Sequence, residues 1–166
     1  TSVKSSTKDN LKDYGYKVSN TGFSFGTTYE QYENLFFSPE IDFSLEDLET
    51  NQTASSSLKK QEGNYEDFYF NYGLIYDLRD STYKASSGSK TTFYQNLPIV
   101  SGNNEISNTL VYTKYKTLNR SSDLIGKASL YFKAVNSIDG SDVRISKRAY
   151  MPYNRLRGFA KGKVGP

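Results

Sequence analysis

Strand length constrains this chain more than any other feature of its sequence. Read for a period of two, it contains six alternating segments, near Tyr14–Glu30, Leu35–Glu49, Asn64–Asp77, Ser89–Pro98, Glu105–Thr117 and Asp123–Asn136. Each is longer than the five or six residues usual for strands of soluble proteins. In the last of them Lys127, Ser129, Tyr131 and Lys133 share one face, and Ala128, Leu130, Phe132 and Ala134 share the other. In the second, Ile41, Phe43 and Leu45 alternate with Glu40, Asp42, Ser44 and Glu46, which puts three carboxylates on one face. A face that charged requires water, either as the outside of a soluble sandwich or as the lumen side of a membrane barrel. Five of the segments, at 13 to 17 residues, exceed the ~9–11 needed to cross a bilayer as tilted strands, and Ser89–Pro98 meets it. The sequence therefore favours an all-β fold, a partial antiparallel transmembrane β-barrel of about six long meander strands.

Composition narrows the function. Tyr and Phe number 15 and 10 in a chain only 36% hydrophobic, a richness in rings that disordered sequences lack and two-faced strands supply. The absence of Cys and His removes thiolate metal sites and the commonest general base and metal ligand. Serine-lysine and paired-carboxylate chemistry stay formally open, but no pair sits in a recognisable frame. No enzymatic activity, metal or cofactor is expected. Net charge is +3 from 21 basic and 18 acidic side chains, too balanced for a nucleic-acid surface. The basic excess is local: Arg144, Lys147, Arg148, Arg155, Arg157, Lys161 and Lys163 fall in a stretch without Asp or Glu, read as a solvated loop in preference to a lipid-headgroup or nucleic-acid patch. No run approaches the ~18 apolar residues of a membrane helix. Thr1–Ser6 carries neither an initiator Met nor a signal-peptide core, so the chain is expected to begin after processing or in mid-protein.

The connections alternate in length. Gln31–Asn34 and Leu118–Ser122 would lie on one rim. The longer links, Thr50–Gly63, Ser101–Asn104 and everything after Ser137, would lie on the other, with Asp77–Gly88 a long exception on the short rim. Within the first long link, 53–63 is expected to form a short helix with Thr53 as N-cap and Gly63 just past its end. Six strands cannot close a membrane barrel, which needs roughly 8 or more, and an open edge is not tolerated in lipid. A fragment, or a barrel closed by oligomerisation, is the expectation.

Two motifs carry a family resemblance. Arg155-Leu156-Arg157-Gly158-Phe159, followed by Gly165-Pro166, resembles the sixth extracellular loop of the BamA family of outer-membrane protein assembly factors; Leu156, Arg157, Gly158, Phe159, Gly165 and Pro166 match its loop motif in order and spacing. Tyr76-Asp77-Leu78-Arg79-Asp80 with Gly88 resembles the family's periplasmic turn. The usual Pro shortly before that Gly is absent, as are the small residues before the loop motif. The resemblance implies a segment covering roughly the sixth to eleventh of the family's sixteen strands over residues 1–166. It implies location in the bacterial outer membrane and a role in folding and inserting β-barrel proteins. Its implied partners are outer-membrane lipids and lipopolysaccharide, nascent β-barrel proteins, accessory assembly lipoproteins, and the remaining strands and POTRA domains of the same protein. Related translocation-assembly and two-partner secretion barrels share the loop motif. A porin-like channel and a soluble β-rich adhesin are the readings from other classes.

The residues of the motifs suggest their own physics. Gly158 permits backbone geometry denied to other residues, Phe159 is an apolar anchor, and Arg157 inside a lumen would need a carboxylate or a ring. Asp77, Arg79 and Asp80 read as an ion-paired turn whose carboxylates bind nearby amides. Tyr65, Tyr69, Tyr72 and Tyr76 read as interface-belt and lumen-lining side chains. Lys59 and Lys60 read as solvated, with lipopolysaccharide phosphate as their alternative partner.

Overall fold

A computed structural model describes residues 1–102, 104–119, 121, 123–152, 154–156, 158–159 and 164–165. Its strands are β1 (Ser2–Asn10), β2 (Tyr16–Gly26), β3 (Tyr29–Tyr32), β4 (Leu35–Thr50), β5 (Gly63–Asp77), β6 (Gly88–Val100), β7 (Glu105–Asn119) and β8 (Leu124–Ser137). All pair antiparallel in one curled half-barrel sheet of order β1-β2-β4-β5-β6-β7-β8, with β3 beside the lower part of β4. Two four-residue helical turns, α1 (Leu11–Tyr14) and α2 (Ser56–Lys59), sit in connections on one rim. Among the described residues no helix is long and apolar enough to cross a membrane, while the strands of 13 to 16 residues from β4 to β8 are long enough to do so.

The sheet departs from the sequence reading in three places. First, Ser2–Asn10 is a strand, paired along its whole length with Tyr16–Ser24; its polar, serine-rich sequence lacks the aromatic signal that marks the others. Second, the segment expected over Tyr14–Glu30 is broken. Tyr14 ends α1, and β2 and β3 are separated at Thr27-Thr28 opposite Pro39. The Pro39 carbonyl accepts from the Thr27 amide at 3.1 Å, so its nitrogen faces the same neighbour, and a residue without an N–H interrupts the ladder there. Third, the helix in the 50–63 link is only α2, capped by Ser55, whose hydroxyl accepts from the Leu58 amide. Thr53 instead donates to the Asn51 side chain, and Gly63 opens β5.

The two faces of the sheet have opposite chemistry. On the concave face Ser24, Ser44, Glu46, Asp67, Thr92 and Glu105 are buried. On the convex face Phe23, Phe25, Ile41, Leu45, Leu74, Leu110, Leu130 and Phe132 are exposed. Among the described residues the buried hydrophobics are Val18, Leu48 and Tyr69 alone, too few to serve as the core of a soluble sandwich. Along β4 the outward residues Leu35, Phe37, Pro39, Ile41, Phe43 and Leu45 run without a polar break and give way to Asp47 and Glu49. Ten rises make about 33 Å of strand, or about 25 Å of height at a tilt of about 40°, the height of a barrel's lipid-facing band.

Register fixes that band on the neighbouring strands. Leu74 pairs with Phe93, Phe93 with Leu110 and Leu110 with Phe132, an apolar row across four strands. Ring contacts of Phe37 and Phe93 with Tyr72 and of Phe23 with Phe43 knit the same surface. Of the four tyrosines singled out in the sequence, Tyr72 and Tyr76 belong to this outer face, and Tyr65 and Tyr69 to the inner one.

Candidate functional site: the loop seated on the concave wall

The concave wall collects its carboxylates on three strands. Glu46 on β4, Asp67 on β5 and Glu105 on β7 all have inward parity, so alternation alone aims them into the lumen. The segment after β8 supplies the cations. It leaves the sheet with the Ile138 amide on the Asn104 carbonyl at 2.8 Å. It then folds a turn in which the Lys147 and Arg148 amides donate to the Arg144 carbonyl, and Arg148 Nε donates to the Val143 carbonyl at 3.0 Å. This turn points Arg144 into the wall.

Arg144 is completely buried. Its Nη2 donates to Asp67 Oδ2 at 2.6 Å, its Nη1 lies 3.5 Å from Glu46 Oε1, and its guanidinium stacks 4.1 Å from the Tyr65 ring centre. Burial opposes the charged form, but Glu46, Asp67 and Glu105 outweigh it and hold the Arg144 pKa above its ordinary value. Nε and Nη1 make no hydrogen bond among the described residues. The cation is held by charge, one strong bond and a ring face.

Its neighbours extend the contact. The Arg144 amide donates to Glu105 Oε1 at 3.4 Å, the Ile145 amide to Gln61 Oε1 at 2.9 Å, and the Ser146 hydroxyl to Glu46 Oε1 at 2.6 Å. Lys147 Nζ lies 3.1 Å from Asp67 Oδ2 and 5.0 Å from the Tyr69 ring centre. On the wall itself the Ser101 hydroxyl donates to Asp67 Oδ1, and the Tyr69 hydroxyl to Glu105 Oε2. Beside the seat lies a cavity of about 240 Å³ lined by Asp42, Asn71, Asn96, Ser107 and Lys133 with Lys147. Among the described residues no group of acidic side chains has the arrangement to hold a metal ion.

Arg144 and Lys147 thus correct the reading of the basic run as a solvated loop. Arg144 is buried because three inward carboxylates need counter-charge, a demand set by strands that precede it by as few as 39 residues at Glu105 and by 77 at Asp67. Arg155 lies closer to that reading: it is exposed, stacked 4.6 Å from the Tyr131 ring centre on β8. Lys161 and Lys163 lie outside the described residues.

Of the loop motif, Arg157 and Pro166 lie outside the described residues. Leu156 and Phe159 are exposed, 37% and 58%. Gly158 has φ +93 with open space where a side chain would sit. Gly165 is pressed against Ala149 and Tyr150, and the Met151 amide donates to the Val164 carbonyl at 2.9 Å. Met151 and Val164 therefore form a pinched base that follows the Arg144 seat.

The second motif lies on the opposite rim. Arg79 donates two bonds to Asp77, Nε to Oδ1 at 2.8 Å and Nη2 to Oδ2 at 2.7 Å. Asp80 accepts from the Ser86 hydroxyl and from the Ser86 and Ser87 amides, and these bonds hold its carboxyl down at about 2. Gly88 has φ +95, and a Cβ there would fall 2.0 Å from the Leu78 carbonyl oxygen. Tyr76, the first residue of the motif, faces outward at 45% exposure.

The Omp85 superfamily domain matches residues 1–166, the whole chain. The chain belongs to the Omp85 superfamily. Members of that superfamily are outer-membrane β-barrels, in keeping with the outer apolar band and the polar concave wall. Comparison with curated proteins gives no significant match.

Proposed function

We propose that this Omp85 domain is a barrel segment of a BamA-type assembly factor, seated in the bacterial outer membrane, that folds and inserts other β-barrel proteins without enzymatic chemistry or a cofactor. The observation that carries the reading is the pairing of an apolar convex band with a concave wall occupied by the loop that bears Leu156, Gly158 and Phe159. A passive channel has no need of such a loop motif beside the turn of Tyr76, Asp77, Arg79, Asp80 and Gly88, and these two matches argue against a porin-like channel. In this reading nascent barrel proteins are the substrates, accessory lipoproteins and POTRA domains deliver them, and lipids with lipopolysaccharide surround the band. Insertion is mechanical: substrate strands add by edge pairing where the bilayer is locally thinned.

The test is reconstitution of the full-length protein into phospholipid vesicles, with the folding rate of an unfolded outer-membrane barrel followed by gel mobility. Acceleration over empty vesicles is the expected result. No acceleration refutes the reading, and export of an unfolded passenger without barrel insertion would place the chain with the secretion transporters.

A further inference from the structure

We propose that Arg144 is the seat of the loop after β8, a positioning residue that holds Val143–Lys147 on the concave wall independently of the exposed motif residues Leu156 and Phe159. Three observations converge on it. Arg144 has the largest side chain fully buried among the described residues, and its partners come from β4 and β5, whereas the loop it belongs to grows from β8. The turn is therefore a tie across the half-barrel, spanning β7 and β6, with separations of 77, 84 and 100 residues in its bonds to Asp67, Gln61 and Glu46.

The wall is also incomplete without the turn. Remove Arg144 and Lys147, and Asp67 and Glu46 are left as buried carboxylates without a cation, a state costly enough to drive rearrangement. Finally, the seat lies before the pinch at Met151 and Val164, while the described motif residues Leu156 and Phe159 are exposed. The motif is presented by a base that Arg144 fixes.

The experiment uses the full-length protein folded in phospholipid vesicles, with Val143→Cys, at a position of the turn whose apolar side chain makes no hydrogen bond of the seat, as a reporter for a membrane-impermeant maleimide in every variant. Arg144→Ala is expected to raise the labelling rate by about tenfold or more, and Phe159→Ala, at an exposed motif position, to leave it within about twofold. Unchanged labelling in Arg144→Ala, or an equal rise in Phe159→Ala, overturns the proposal. Should Arg144→Ala not fold, hydrogen exchange in the unmodified protein decides. The Arg144 and Ile145 amides, bonded to Glu105 and Gln61, are expected to exchange as slowly as strand amides, and exchange at exposed-loop rates overturns it.

The positioning role rests on the assembly reading and has its own measure: Arg144→Ala slows barrel insertion at an equal amount of folded protein, and Arg144→Lys restores part of the rate. Raised labelling with an unchanged insertion rate would overturn the positioning role. Because labelling needs no substrate, its failure is distinguishable from failure of the assembly reading.

Discussion

The orientation of the two faces can be tested with one arginine placed on each. Leu110 lies on the convex face in the row Leu74, Phe93, Leu110, Phe132 and is 42% exposed in the isolated chain. If that exposure is to lipid, Leu110→Arg puts a guanidinium within the hydrocarbon layer, at a cost of about 2–4 kcal/mol near the midplane. That is about 30- to 700-fold in the folding equilibrium. If the exposure is to water, the same change at a half-exposed strand position costs within about 0.5 kcal/mol.

Ser107, three residues earlier on β7, faces the opposite way into the polar cavity with Asp42 and Glu105. Ser107→Arg meets carboxylates and water there, with an expected cost below about 1 kcal/mol. The assay is urea unfolding of the full-length protein from phospholipid vesicles, compared with the two variants. A Leu110→Arg cost indistinguishable from that of Ser107→Arg would refute the inside-out assignment, because only opposite environments separate two arginines on one strand.

Three further outcomes follow from the wall and the turn. Asp67→Ala removes both the 2.6 Å bond from Arg144 and the 3.1 Å pair with Lys147. It is expected to destabilise the folded barrel by about 3–5 kcal/mol, read by the same urea transition. Asp80 has its pKa lowered from 3.8 to about 2 in the folded turn, so its contribution is fully present above about pH 4 and lost as pH falls through about 2. The stability advantage of the unmodified protein over Asp80→Asn should therefore persist at pH 5 and vanish by about pH 2 in parallel unfolding curves. Gly88→Ala places a Cβ against the Leu78 carbonyl at φ +95. It is expected to cost about 1–3 kcal/mol and to speed hydrogen exchange at Leu78 and Asp80, whose amides bond across that turn.

Alternation made much of this architecture legible, because a period of two survives any tertiary context and assigns faces directly. The acidic face of β4 was visible as Glu40, Asp42, Ser44 and Glu46, and the sheet turns that face inward. β1 was not visible: Ser2–Asn10 holds one apolar residue, Val3, so its alternation carries no hydropathy signal. The break at Thr27-Thr28 has its cause twelve residues away at Pro39, on a partner strand that only the register identifies. The Arg144 seat was half legible. A basic run without a single acid needs counter-charge, and inward carboxylates on three strands offer it, but their meeting depends on a loop path that no local pattern encodes.

That seat also addresses a mechanical problem posed by the sheet itself. A curled sheet with an apolar band outside and a polar wall inside has no hydrophobic core to set its curvature; Val18, Leu48 and Tyr69 are the only buried hydrophobics described. Curvature must come from the strands, through bulges such as that between Phe68 and Tyr69, and from polar ties across the lumen. The tie through Arg144 joins β8 to β4 and β5 by charge, and breaking it exposes carboxylates to a wet lumen without separating packed apolar surfaces. Its energy is therefore large while the seat is dry and falls steeply once water enters, since effective permittivity rises by several-fold. A restraint of that kind is stiff when closed and cheap to complete once opening has begun, which suits a barrel whose proposed work requires its shape to change while its outer apolar band stays in place.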